Sequence, residues 1–93
     1  MTRRDRIETA LKSAFSPVRL AVLDESHMHA GHQPEFDGSG ESHFRVRIES
    51  GEFTGKSRID RHRAVNAVLK SEFDGGLHAL AVEAAAPGEA TRW

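Results

Sequence analysis

Residues Phe44–Phe73 read FRVRIESGEFTGKSRIDRHRAVNAVLKSEF, and the fold turns on how this run divides. Phe44, Val46 and Ile48 alternate with Arg45, Arg47 and Glu49, which predicts a strand with one buried face. Ser50 to Gly55 reads as a turn. Beyond it the periodicity changes. Ser57 followed by Asp60 is a helix-start signature, and the helix it opens is expected over Arg58–Phe73. At 100° per residue, Ile59, His62, Val65, Asn66, Leu69 and Phe73 share one face, with Val68 at its border. Asp60, Arg63 and Lys70 point away. Asp74-Gly75-Gly76 closes the helix, because glycine readily takes the left-handed conformation of a C-cap.

Upstream, Ile7, Ala10, Leu11, Ala14 and Phe15 recur at spacings of three and four, predicting an amphipathic helix over residues 3–15. Thr2 and Asp5 form a capping box at its start, and Pro17 stops it. Val18 to Leu23 alternates, with Val18, Leu20 and Val22 on one face, as a half-buried strand. This strand and the next are neighbours in sequence, so an antiparallel pairing is expected. Downstream, Leu77 to Ala84 reads as a third strand, with Leu80 and Val82 as its larger side chains and His78 on their face. Pro87-Gly88 ends it, and the tail, residues 85–93, is expected to be exposed or fraying unless Trp93 docks. The order helix–strand–strand–helix–strand is α+β: helices on one face of a three-stranded sheet.

Composition narrows the function. Ninety-three residues, 38% hydrophobic and 29% charged, suit one soluble domain spanning 1–93, with its core over about 3–84. The formal charge of −1 argues against a general nucleic-acid sponge. No apolar stretch approaches the roughly 20 residues of a membrane span, and no signal peptide begins the chain, so a cytoplasmic location is expected. The absence of cysteine rules out disulfides, a thiol nucleophile and any cluster held by this chain's own thiolates.

Residues 25–43 form a long polar connection holding His27, His29, His32 and His43. The first three follow H-x-H-x-x-H, but a glycine-rich loop does not by itself fix the tetrahedral ligands zinc requires. Gly51-Glu-Phe-Thr-Gly55-Lys56-Ser57 is one residue too short between its glycines for a phosphate-binding loop. Ser26, His29 and Asp24 are near in sequence, which is not triad geometry. Lys56, Arg58, Arg61 and Arg63 are candidate nucleic-acid contacts, diluted by Asp60 and Glu72. His62 points towards the core as a structural residue.

The runs ESHMHAGH, ESHFRVRIES, FTGKSRIDRHRAVNAVLKSEF and GGLHALAVEA together resemble the BolA-like family over most of the chain. The most specific pieces are Ser42-His43-Phe44, Phe53-x-Gly55-Lys56, Arg61-His62-Arg63 and His78-Ala79-Leu80. The resemblance implies a class II KH-like fold and a non-enzymatic adaptor that pairs with a monothiol glutaredoxin, the two bridged by a [2Fe–2S] cluster. It also implies two ligands, His29 by position in the ES-x-x-H-A run and His78 in the HAL motif. His27 and His32 match no ligand position. A [2Fe–2S] cluster can take two histidines on one iron while the other still requires thiolates; a glutaredoxin cysteine and glutathione would supply them. The free chain is then expected to be a monomer or weak homodimer. The family's other role, DNA binding and transcriptional control, would use the helix bearing Arg61-His62-Arg63 and the turn before it. The G-x-x-G loop of RNA-binding KH domains is absent.

Overall fold

Thr2 opens the first helix as the sequence predicts. Its hydroxyl accepts from the Asp5 amide and the Asp5 carboxylate accepts from the Thr2 amide, so two of the donors that a helix start leaves unpaired are satisfied. The structure, a computed structural model, describes residues 2–25 and 42–93. In chain order its elements are α1 (Arg3–Phe15), β1 (Arg19–Asp24), β2 (His43–Glu49), a 3₁₀ turn (Gly51–Phe53), α2 (Arg58–Val68), α3 (Lys70–Asp74) and β3 (Ala79–Ala85).

The sheet order is β1-β2-β3. β1 runs antiparallel to β2, with Val22 opposite Val46, and β3 runs parallel to β2, with Val82 also opposite Val46. A parallel neighbour needs a crossover, and the helical segment between β2 and β3 provides it. Ile7, Leu11 and Phe15 from α1 and Val65 and Leu69 from the crossover close over Val22, Phe44, Val46, Ile48 and Val82. Phe53 slots in beside Phe15, ring centroids 5.0 Å apart. Each fully buried apolar side chain of this size contributes about 1.5–3 kcal/mol. The architecture is the expected α+β layer, helices on one face of three strands.

Several details depart from expectation. The helix foreseen over Arg58–Phe73 breaks at Leu69, whose backbone (φ −99°, ψ 14°) leaves the helical region. Leucine is a good helix former, so nothing local marks the break; it keeps Leu69 in the core while α3 brings Glu72 against α1. Ile59, expected inward, is 61% exposed, and Asn66 is exposed too. A periodicity assigns a face to every turn, but cover comes from neighbours, and these turns have none on that side. Val18 is 64% exposed for the same reason: β1 begins one residue later. β3 begins at Ala79 rather than Leu77, so His78 precedes the strand and is exposed, not on the core face. Gly76, at φ +118°, makes the turn between; a side chain there would be strained.

The tail is also better held than expected. Glu89 takes two hydrogen bonds from the Arg61 guanidinium, at 2.6 and 2.8 Å. Arg19 donates to the Trp93 carbonyl and the Thr91 hydroxyl and lies 4.2 Å over the Trp93 ring. Among the described residues no helix is long and apolar enough to cross a membrane.

Candidate metal centre

β2 and β3 start side by side, and a histidine stands at the start of each. Ser42 joins them. Its carbonyl accepts from the amides of both His78 and Ala79, at 2.8 and 3.2 Å, and its hydroxyl bonds the His43 Nδ1 at 2.8 Å. The His43 and His78 rings meet edge to face, centroids 5.8 Å apart and 80° between planes. His43 is buried and His78 exposed. The corner thus offers one accessible imidazole, backed by a second that its serine neighbour orients.

The other side of the corner is fixed by charge. The Glu25 amide donates to the His43 carbonyl at 2.8 Å, and Arg45 Nε donates to the Glu25 carboxylate at 2.9 Å. Arg45 also approaches Glu83 at 3.7 Å, and Arg47 binds Glu83 at 2.8 Å. The bond to Glu25 raises Arg45 above its already high value, while the Arg47 guanidinium holds the Glu83 carboxyl below the usual glutamate range. Glu25 and Ser42 are the described residues that flank 26–41; Ser42 is bonded to His78, and Glu25 to His43.

His78 stands where a ligand would be reachable from solvent. His29, with His27 and His32, lies outside the described residues, as does Ser26 of the dismissed triad. Among the described residues there is no cluster of three or more histidine, aspartate or glutamate side chains placed for a metal ion. The sequence alone places His43 in the polar connection and does not mark it as a member of this corner. Its residue type was visible, but its nearness to His78 follows from the β2–β3 register, which puts it opposite Ala79.

The basic helix separates into unlike members. Arg61, with its side chain only 11% exposed, turns inward to Glu89 and also donates to the carbonyls of Lys56 and Ala84. Lys56 and Arg58 are exposed. Arg63 is 77% exposed, with only a distant Asp60 oxygen at 3.8 Å. His62 is half-buried on the wall of a cleft beside β3.

Comparison with known proteins agrees with this architecture. The family model for "BolA-like protein" matches residues 11–89. The chain is 63% identical to the uncharacterized protein in cobS 5'region of Sinorhizobium over 93 residues, all of both chains. It is 42% identical to the DNA-binding transcriptional regulator BolA of Escherichia coli over 82 residues, 88% of this chain and 73% of the relative. The solved BolA domain of SufE1 from Arabidopsis thaliana superposes with a TM-score of 0.86 at 42% identity, covering 97% of this chain and 98% of that one. By sequence, element order and superposition alike, the chain belongs to the BolA-like family.

Proposed function

We propose that this BolA-like chain is a non-enzymatic adaptor that pairs with a monothiol glutaredoxin and shares a [2Fe–2S] cluster with it, in iron–sulfur trafficking or iron sensing. The observation that carries this reading is the exposed His78, bonded to Ser42 at one flank of the segment that bears His29, in a chain with no cysteine. The donor chemistry fits a half-site. Two imidazoles suit one iron of such a cluster, and the other iron's thiolates come from outside, from the glutaredoxin cysteine and glutathione. Bound there, the cluster would supply electron-transfer and iron–sulfur transfer chemistry. The chain's own part is positioning. Ser42 anchors the His78 backbone, the buried His43 ring limits where the His78 ring can turn, and Arg45 with Glu25 fixes where the 26–41 segment departs. Free in the cytoplasm, the chain is a monomer or weak homodimer.

Co-expression with a monothiol glutaredoxin tests the reading. A brown heterodimer with equal iron and sulfide is expected, and its visible circular dichroism should change in His29→Ala and in His78→Ala. Absence of any complex overturns the adaptor reading, and an unchanged spectrum in both variants overturns the ligand assignment.

A second reading, a DNA-binding regulator, is favoured by the exposed Lys56, Arg58 and Arg63 and by the name of the Escherichia coli relative. Arg61 contributes little to it, being paired within the chain. Affinity for duplex DNA would then fall with salt and weaken in Lys56→Ala and Arg63→Ala. No binding to promoter fragments at low salt excludes it.

A further inference from the structure

β3 is an edge strand, and a cleft of about 420 Å³ runs along its free side. Val82 and Ala84 line the floor, the first turns of α2 form one wall, and residues 89–93 form the other. In a parallel pair, alternate residues direct both backbone groups at the partner strand and the others direct them away. Ala79 and Ala85 bond to the residues flanking β2, through Ser42 and Ser50. Val82 and Ala84 are therefore the outward members. The Ala84 carbonyl confirms the direction by accepting from Arg61 on α2 at 3.3 Å. Val82 and the Ala84 amide have no hydrogen-bond partner on that side among the described residues. Such an edge is a template for a further strand.

The walls say what kind of strand. Both acidic side chains lining the cleft are already neutralised, Glu89 by Arg61 and Glu83 by Arg47. Lys56, Arg58 and Arg92 line the same cleft, with no ion pair among the described residues. A chain of net charge −1 thus gathers positive charge, unpaired among the described residues, around peptide groups that those residues leave free.

We propose that the outer edge of β3 takes an extended acidic peptide segment of a partner protein as a fourth strand. Val82 and Ala84 bond its backbone, and Lys56, Arg58 and Arg92 receive its carboxylates. This is β-augmentation, in which main-chain bonds give affinity and alternate side chains give specificity. A single-stranded nucleic acid matches the charge but not the edge, having no peptide groups to complete the ladder. The Trp93 ring, already covered on one face by Arg19, is a poor stacking platform for bases. The inference is independent of the histidine corner, which lies at the opposite end of β3.

Trp93 is the only tryptophan and lines the cleft, so its fluorescence reports occupancy, with calorimetry as a second readout. The probe is a capped seven-residue peptide of alternating glutamate and valine, at low salt. Saturable binding is expected, weakened at least tenfold by N-methylation of alternate peptide amides and at least tenfold by Arg58→Glu. That substitution sits in the first turn of α2, where negative charge favours the helix, so lost binding is not lost folding. The proposal is overturned if neither readout detects the peptide, if the N-methylated peptide or a lysine–valine counterpart binds equally well, or if a ten-nucleotide oligothymidylate binds more tightly.

Discussion

Ser50 is a small polar residue with bonds to three elements. Fully buried, it donates its hydroxyl to the Phe15 carbonyl at 2.6 Å and accepts the Glu52 amide, while its own amide bonds the Ala85 carbonyl. One residue therefore ties the end of α1, the turn after β2 and the end of β3. Alanine here would strand a buried carbonyl and a turn amide, and each group left unsatisfied costs about 1–3 kcal/mol. Ser50→Ala should lower the thermal midpoint by roughly 4–8 °C per kcal/mol lost, measured by far-ultraviolet circular dichroism. In sequence Ser50 is only the first residue of a turn. Arg61 shows the same limit from the other side: it reads as one cation of a basic run, yet Glu89, distant in the chain, takes it out of the surface.

Between elements, the contact that most depends on the break at Leu69 is the one from α3 to α1. Glu72 accepts two bonds from Arg6, both at 3.0 Å, and Arg3 stands 3.6 Å away. The Arg6 bonds hold the Glu72 carboxyl below the ordinary glutamate value of 4.5, against the opposing effect of burial. The native state therefore binds this proton less readily than the unfolded chain. The contact stabilises fully above the unfolded value and fades as pH falls through the lower native one. Glu72→Gln should cost about 1–2 kcal/mol at pH 7 and lose less than the natural chain between pH 5 and pH 2, as urea unfolding would show. Local chemistry made α1, the Ser57 cap and the alternating strands legible, since capping and periodicity are written in neighbouring residues. The helix break, the exposure of Ile59 and the partnership of Arg61 are set by what lies across the fold. The candidate site divides the same way: His78 stands out in a motif, whereas His43 joins it only through strand register.

For the molecule as a whole, the two sheet pairings differ in kind. β1 and β2 are consecutive strands in antiparallel register. β2 and β3 are parallel, with the 3₁₀ turn, α2 and α3 between them in the chain. Contacts between residues distant in sequence form late, because loop closure must come first. The bond from the His78 amide to the Ser42 carbonyl belongs to that second class. In pulse-labelled hydrogen exchange during refolding, the His78 amide should become protected no earlier than that of Val22, and earlier protection would contradict this order. A chain still emerging from the ribosome, with β1 and β2 made but β3 not yet delivered, has no joined histidine corner. The parallel strand thus sets an order in time: only a finished fold joins His78 to the start of β2.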